Sequence, residues 1–165
     1  MRSRHCKPAW LDAAKSVTTL SAMETAPDPA ECRDCLCLAS RSAASGITAV
    51  YDQHLRPHGV RITQFTILVM LMLRGGTAIS ALAKALGMDR TTLTRNVGLL
   101  EANGWVQGRT DGEDARIHII AVTPKGRAVV RAALPAWRMA QDNVAAALGP
   151  GGVGALRRLA RTAIQ

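Results

Sequence analysis

The sequence predicts a mainly helical fold with a small β-wing. This is a winged helix-turn-helix, dimeric, with long N- and C-terminal dimerisation helices. Three observations predict it. The stretch Ile79–Gly104 reads as two short helices joined by a tight turn. A hairpin-like segment, Trp105 to Val122, follows at once. Apolar residues at helical spacing then occupy both flanks of that unit, upstream from Leu36 and downstream to Ile164.

In the first helix of the pair, Ser80 is the expected cap, because its hydroxyl can accept from a free backbone N–H. Ile79, Leu82, Ala83 and Leu86 give that helix one apolar side. Gly87 ends it, since glycine tolerates the left-handed conformation just past helix C-termini. Asp89 is the expected cap of the second helix, whose inner stripe is Leu93, Val97 and Leu100. Its outer face holds Arg90, Thr91, Thr92, Thr94, Arg95 and Asn96, and Asn103-Gly104 closes it. Arginine bridges guanine edges or holds a phosphate, and threonine hydrogen-bonds or touches a thymine methyl. The N-terminal part of a recognition helix makes such contacts. A solvated polar face is the plainer alternative, and the adjoining turn and wing favour DNA over it.

Trp105 to Arg109 is the expected first wing strand, and Arg116 to Val122, rich in β-branched residues, the second. Thr110 to Ala115 is polar, with Gly112 for the turn. Arg109 joins the DNA-facing set, and Arg116 is expected in a minor groove, whose negative potential attracts guanidinium groups. Asp111 or Asp114 is expected to orient Arg109 or Arg116 by a paired hydrogen bond. The alternative there is a solvated acidic turn. Thr123 then caps a long helix, with Pro124 suited to its first position.

On the flanks, a helix is expected from about Ala30 to Arg56, with Leu36, Ala39, Ala43, Ile47, Val50 and Tyr51 on its apolar side. Pro57 and Gly59 break it. Thr63 is the expected cap of the next helix, which runs through Phe65, Leu68, Val69 and Met72 to Leu73 and ends at Gly75-Gly76. The helix after the wing keeps Val129, Ala133, Trp137, Ala140, Val144 and Leu148 in register, with Pro135 expected to kink it. Gly149 to Gly152 is a break, and a last helix carries Val153, Leu156, Leu159, Ala160 and Ile164. One small winged domain cannot cover all these stripes. A second copy is the economical partner, giving a two-fold dimer with its recognition helices about one DNA turn apart. The expected organisation is a flexible N-terminal extension at 1–30, a dimerisation helix at 31–60, the DNA-binding region at 61–123 and C-terminal dimerisation helices at 124–165. Met23 is an alternative start, which would leave residues 1–22 outside the natural protein.

At 165 residues the chain is one domain with a tail. One Phe, one Tyr and three Trp within a 48% hydrophobic composition leave Leu, Val, Ile and Ala to form the core. The formal net charge is +9, with Arg as 17 of the 21 basic residues. That balance favours polyanions, although Arg- and Ala-rich usage also tracks genome composition. No apolar run reaches the ~18 residues of a membrane span. No apolar segment follows Arg2, Arg4 and Lys7 to make a signal peptide. A cytoplasmic location with reduced thiols is the expectation.

Cys32, Cys35 and Cys37 cluster, and Cys6 stands apart. Three readings compete. A thiolate at a helix N-terminus is stabilised by the helix dipole and reacts faster with oxidants, which makes the cluster a thiol sensor resolved as a disulfide. Alternatively, the three thiolates hold a soft metal, although a continuous helix would turn Cys37 away from the other two. The third reading is small apolar packing. His54 and His58 stand at i, i+4 spacing without an acidic partner and are assigned to the surface or a dimer interface. There is no phosphate loop, no G-x-S-x-G and no paired carboxylates, so neither an enzyme nor a cofactor is expected. The alternatives to a regulator are an architectural, sequence-tolerant DNA-binding protein and a thiol-redox protein. The latter lacks the βαβ context of such chemistry.

The succession Ile62-Thr63-Gln64-Phe65, Leu82-Ala83, Asp89 to Asn96, Leu100-Glu101 and Gly104-Trp105-Val106 resembles the MarR family of bacterial regulators. So do the wing from Asp111 to Arg116, then Val122-Thr123 and Gly126. The likeness covers Cys35 to about Leu159. It implies an obligate homodimer on double-stranded DNA with a palindromic operator, acting as a repressor released by a ligand or by thiol chemistry. Ala115 stands where many members carry a basic residue, which leaves Arg116 as the DNA contact. Cys37 and Tyr51 match the reactive Cys and one Tyr of peroxide-sensing members of the OhrR type, while Arg41 stands where their second Tyr falls. Ligand-responsive members bind small aromatic acids in a crevice, which Tyr51, His58 and Phe65 would line here. The implied effector is thus an oxidant, a soft metal or a small aromatic molecule.

Overall fold

The computed structural model of the chain describes residues 29–110 and 118–162. All but the last two residues of the expected N-terminal extension lie outside them, as do Cys6 and the wing tip. The chain divides after Ala39 into two units. In the first, Pro29–Asp34 forms a 3-10 turn and α1 (Leu36–Leu55) begins. The single helix expected from Ala30 is therefore broken. The Cys35 N–H donates to the Cys32 carbonyl at 3.2 Å, while the Cys35 carbonyl accepts from Ala39 at 3.0 Å. A tight i→i+3 turn must unwind before the i→i+4 ladder can start, and Cys35 is where it does so.

In the second unit, α1 runs on to a 3-10 turn at Arg56–His58, then α2 (Ile62–Arg74), β1 (Thr77–Ala78), α3 (Ile79–Leu86) and α4 (Arg90–Ala102). After these come β2 (Val106–Thr110), β3 (His118–Val122) and α5 (Pro124–Thr162). The strands form an antiparallel sheet in the order β1-β3-β2. Val106 pairs with Val122 and Thr110 with His118 in the wing, while Thr77 pairs with Ile120 on the other edge. The two-residue β1 has no alternation to announce it in the sequence. It exists because β3 offers a free edge beside it.

Two expected caps move. Thr63 and Ser80 each stand second in their helices, and the N-cap residues are Arg61 and Ala78. For α3, pairing of Ala78 in β1 sets where the chain turns into helix, ahead of the serine. For α2, the Asp52 carboxylate on α1 accepts from the Ile62 N–H at 2.7 Å, and Gln64 Oε1 accepts from the Arg61 N–H at 3.1 Å. These bonds satisfy donors left open at any helix start. Thr123 does cap α5, its Oγ accepting from the Gly126 N–H at 3.1 Å.

Gly126 has a steric reason to be glycine. A Cβ there would lie 2.1 Å from the Trp105 carbonyl oxygen, so α5 seats on the start of the wing only without one. The expected kink at Pro135 does not take the form of a break. Within α5 the one residue with non-helical dihedrals is Gly149 (φ 66°, ψ 170°), and Pro150 restarts the helix there.

The main core gathers Leu55, Ile67, Leu68, Leu71, Leu82, Leu93, Leu100 and Ile120, all fully buried. Burial of each such side chain stabilises the fold by ~1.5–3 kcal/mol. Phe65 stacks on Trp137 at 6.3 Å between ring centroids. A smaller cluster of Tyr51, Ala140 and Val144 joins α1 to α5. Polar bonds run along that seam. The Tyr51 hydroxyl donates to Gln141 Oε1 at 2.5 Å, and Asn143 Nδ2 lies 3.2 Å from His54 Nε2.

Candidate nucleic-acid interface

Three side chains lock α4 to the core: Leu93 and Leu100 at 0% exposure and Val97 at 3%. Residues turn about 100° per step along a helix, so Thr91 and Arg95 fall opposite that stripe. Arg90 and Thr94 flank them on one side. All four are exposed, as is Thr92, while Asn96 is half-buried. The helix thus holds its outer face rigidly by its inner one.

Local bonds sort the predicted contacts further. Asp89 caps α4 as expected, its Oδ1 accepting from the Thr92 N–H at 2.7 Å. The Thr92 hydroxyl, and secondarily its N–H, hold the Asp89 carboxyl below the usual carboxylate range. Thr92 therefore serves the helix start. Thr94 Oγ donates to the Arg90 carbonyl at 2.8 Å, and Asn96 Nδ2 to the Thr92 carbonyl at 2.9 Å. Both polar groups are thus bonded to carbonyls of their own helix.

The wing positions Arg109 by pairing it with Ile119 in β3. Arg116, Asp111 and Asp114 lie outside the described residues, and so does the expected carboxylate–arginine pair. Ile120 and Val122 anchor β3 in the core, at 1% and 6% exposure.

The remaining predicted residues lie elsewhere. Cys32, Cys35 and Cys37 are exposed around the start of α1. Among the described residues, no group of three or more His, Cys, Asp or Glu side chains is placed to hold a metal ion. Tyr51, His58 and Phe65 are not gathered into one crevice. Phe65 is core, at 3% exposure, and His58 is exposed on its 3-10 turn. Burial pushes the Tyr51 phenol up from its ordinary pKa. Trp137 contacts both Tyr51 and Phe65, with ring centroids 6.5 Å and 6.3 Å away respectively. Tyr51 lines a cavity of about 240 Å³ with Gln141 and Arg157. An open cleft of about 1080 Å³ is lined by Asp52, Arg56, Arg61 and Gln64 among others. The sequence reading missed Asp52 and Gln141. Their bonds span 10 and 90 residues, and no local pattern carries that information.

A helix-turn-helix with a positioned polar face, followed by a two-stranded wing, defines a winged-helix protein of the DNA-binding kind. The sequence profile of the MarR family matches residues 58–117. The transcriptional regulator MosR of M. tuberculosis, solved in complex with DNA, is 37% identical with a TM-score of 0.71; the match covers 79% of this chain and 94% of that one. The transcriptional regulator TtmR of Methylorubrum extorquens is 32% identical over 61% of this chain and 51% of its own length. The transcriptional repressor MprA of Escherichia coli is 34% identical over 51% of this chain and 49% of its own. The chain thus spans about half the length of the curated relatives it matches. It belongs to the MarR family of transcriptional regulators. No helix among the described residues is long and apolar enough to cross a membrane.

Proposed function

We propose that this chain is a sequence-specific transcriptional regulator that binds a palindromic operator as a homodimer, represses there, and is released by an effector. The observation that carries this reading is α4, whose Arg90, Thr91, Thr94 and Arg95 stand exposed on a helix locked into the core by Leu93, Val97 and Leu100. Arg95 and its neighbours meet the major groove, and Arg116 the minor groove. The DNA complex of MosR, at 37% identity, supports a DNA partner. Residues 31–60 and 124–165 supply the dimer contacts, and 61–123 the DNA-binding region.

The effector we favour is an oxidant acting on the exposed thiols Cys32, Cys35 and Cys37. A thiolate there takes the terminal oxygen of a hydroperoxide, the alcohol departs, and the sulfenic acid condenses with a second thiol, releasing water. An anisotropy titration of the reduced protein on the DNA upstream of its own gene tests both parts, repeated after an organic hydroperoxide and again after a dithiol. Tight binding lost on oxidation and restored by dithiol supports a thiol switch. Tight binding indifferent to peroxide demotes the cysteines to structure or metal binding and points to a small-molecule ligand. No preference for that DNA over an unrelated duplex rejects the regulator.

A further inference from the structure

We propose that Gly98 is a positioning residue for the DNA: it lets a sugar–phosphate strand lie against the backbone of α4 itself. The inference rests on the DNA-binding reading above and adds a residue to it. Gly98 stands inside α4, three residues past Arg95 and four past Thr94, so it neighbours both on the outward side. It is exposed, and a Cβ built on it meets nothing within 4 Å. Its φ is not among the positive values that glycines adopt in this chain.

Those facts remove the internal explanations for a glycine. Gly126 is required by the Trp105 carbonyl 2.1 Å from its would-be Cβ, and Gly104 by its φ of 70°. Gly98 has neither reason. After proline, glycine is the least favourable residue in a helix interior, so the free protein bears a cost at this position with no return from its own packing. The space that a side chain would fill lies beside the two residues assigned to the DNA. A missing Cβ is what permits backbone to approach a ligand closely.

Gly98→Ala separates this from a structural role, because the two readouts move in opposite directions. Thermal melting should show a higher midpoint. Anisotropy on the DNA upstream of the gene should show at least tenfold weaker binding than wild type. Light scattering on Gly98→Ala should return the same mass as wild type, so that lost assembly is not the cause of the weaker binding. Undiminished affinity in Gly98→Ala overturns the proposal while leaving the regulator reading intact. A changed mass alongside the weaker binding also overturns it, since lost assembly would then be responsible. A wild-type protein that fails to bind the duplex rejects the regulator reading, and this inference with it.

Discussion

Leu93 and Leu100 in α4, and Leu156 and Leu159 near the end of α5, are the same side chain in the same kind of element. The first pair is 0% exposed; the second is 43% and 67% exposed. The winged core closes its own apolar surface, because α2, α3, α4, the sheet and the start of α5 converge on it. The last stretch of α5 has a comparable stripe, which meets α1 only at the cavity lined by Tyr51 and Leu156. Exposed leucines in register along one helix are what a second copy of the chain would cover, and this is why dimer contacts are assigned to the ends. One region closes its own apolar surface, and the other leaves its leucines exposed.

Substitutions can break that contrast, beginning with the core. Leu100→Ala should destabilise the fold by ~2–5 kcal/mol, the cost of a buried leucine cavity, read by chemical denaturation. A loss under 1 kcal/mol would show that the winged core is less self-contained than its burial implies. Gly126→Ala should cost ~1–3 kcal/mol, because α5 must shift off the Trp105 carbonyl, and a thermal melt reads the drop. Arg95→Ala should leave the melt unchanged and weaken operator binding by ~1–3 kcal/mol if the guanidinium reads a base. Unchanged affinity removes it from the contact set.

On the other side of the contrast, Leu156→Asp with Leu159→Asp should leave the core melt nearly intact yet convert a dimer to monomers by light scattering. A dimer that survives places the interface elsewhere. Asp52→Ala should cost ~1 kcal/mol, typical of a lost helix cap, because the Ile62 N–H is left open. The smallest effect belongs to Asp89. Its folded pKa is lowered, so its contribution is present above the unfolded carboxylate pKa and is lost as pH falls through the folded value. Wild type should therefore lose its margin over Asp89→Asn in the acid range. A constant margin down to low pH would rule out the charged cap.

How far the sequence spoke depended on whether a signal was local. Asp89, Gly87 and Thr123 are caps that act on the residues beside them, and each is where its residue type predicts. The stripe Leu93–Val97–Leu100 and the outward Arg90, Thr91 and Arg95 were equally legible, since one helical period fixes both faces. Ser80 and Thr63 misled because the starts of α3 and α2 are set by strand pairing and by Asp52 from another helix. Tyr51 and Phe65, read as crevice residues, face Trp137 from far along the chain.

The sequence by itself determined the succession of the main helices, the turn, the wing strands and the polar face of α4, because these follow from periodicity, capping chemistry and glycine placement within a few residues. Only the tertiary structure decided that β1 joins the sheet, that Asp52 starts α2, that Trp137 packs against both Tyr51 and Phe65, and that Gly98 stands open where Gly126 does not. Those outcomes depend on which distant surfaces meet, and contact between distant segments leaves no periodic trace in the chain.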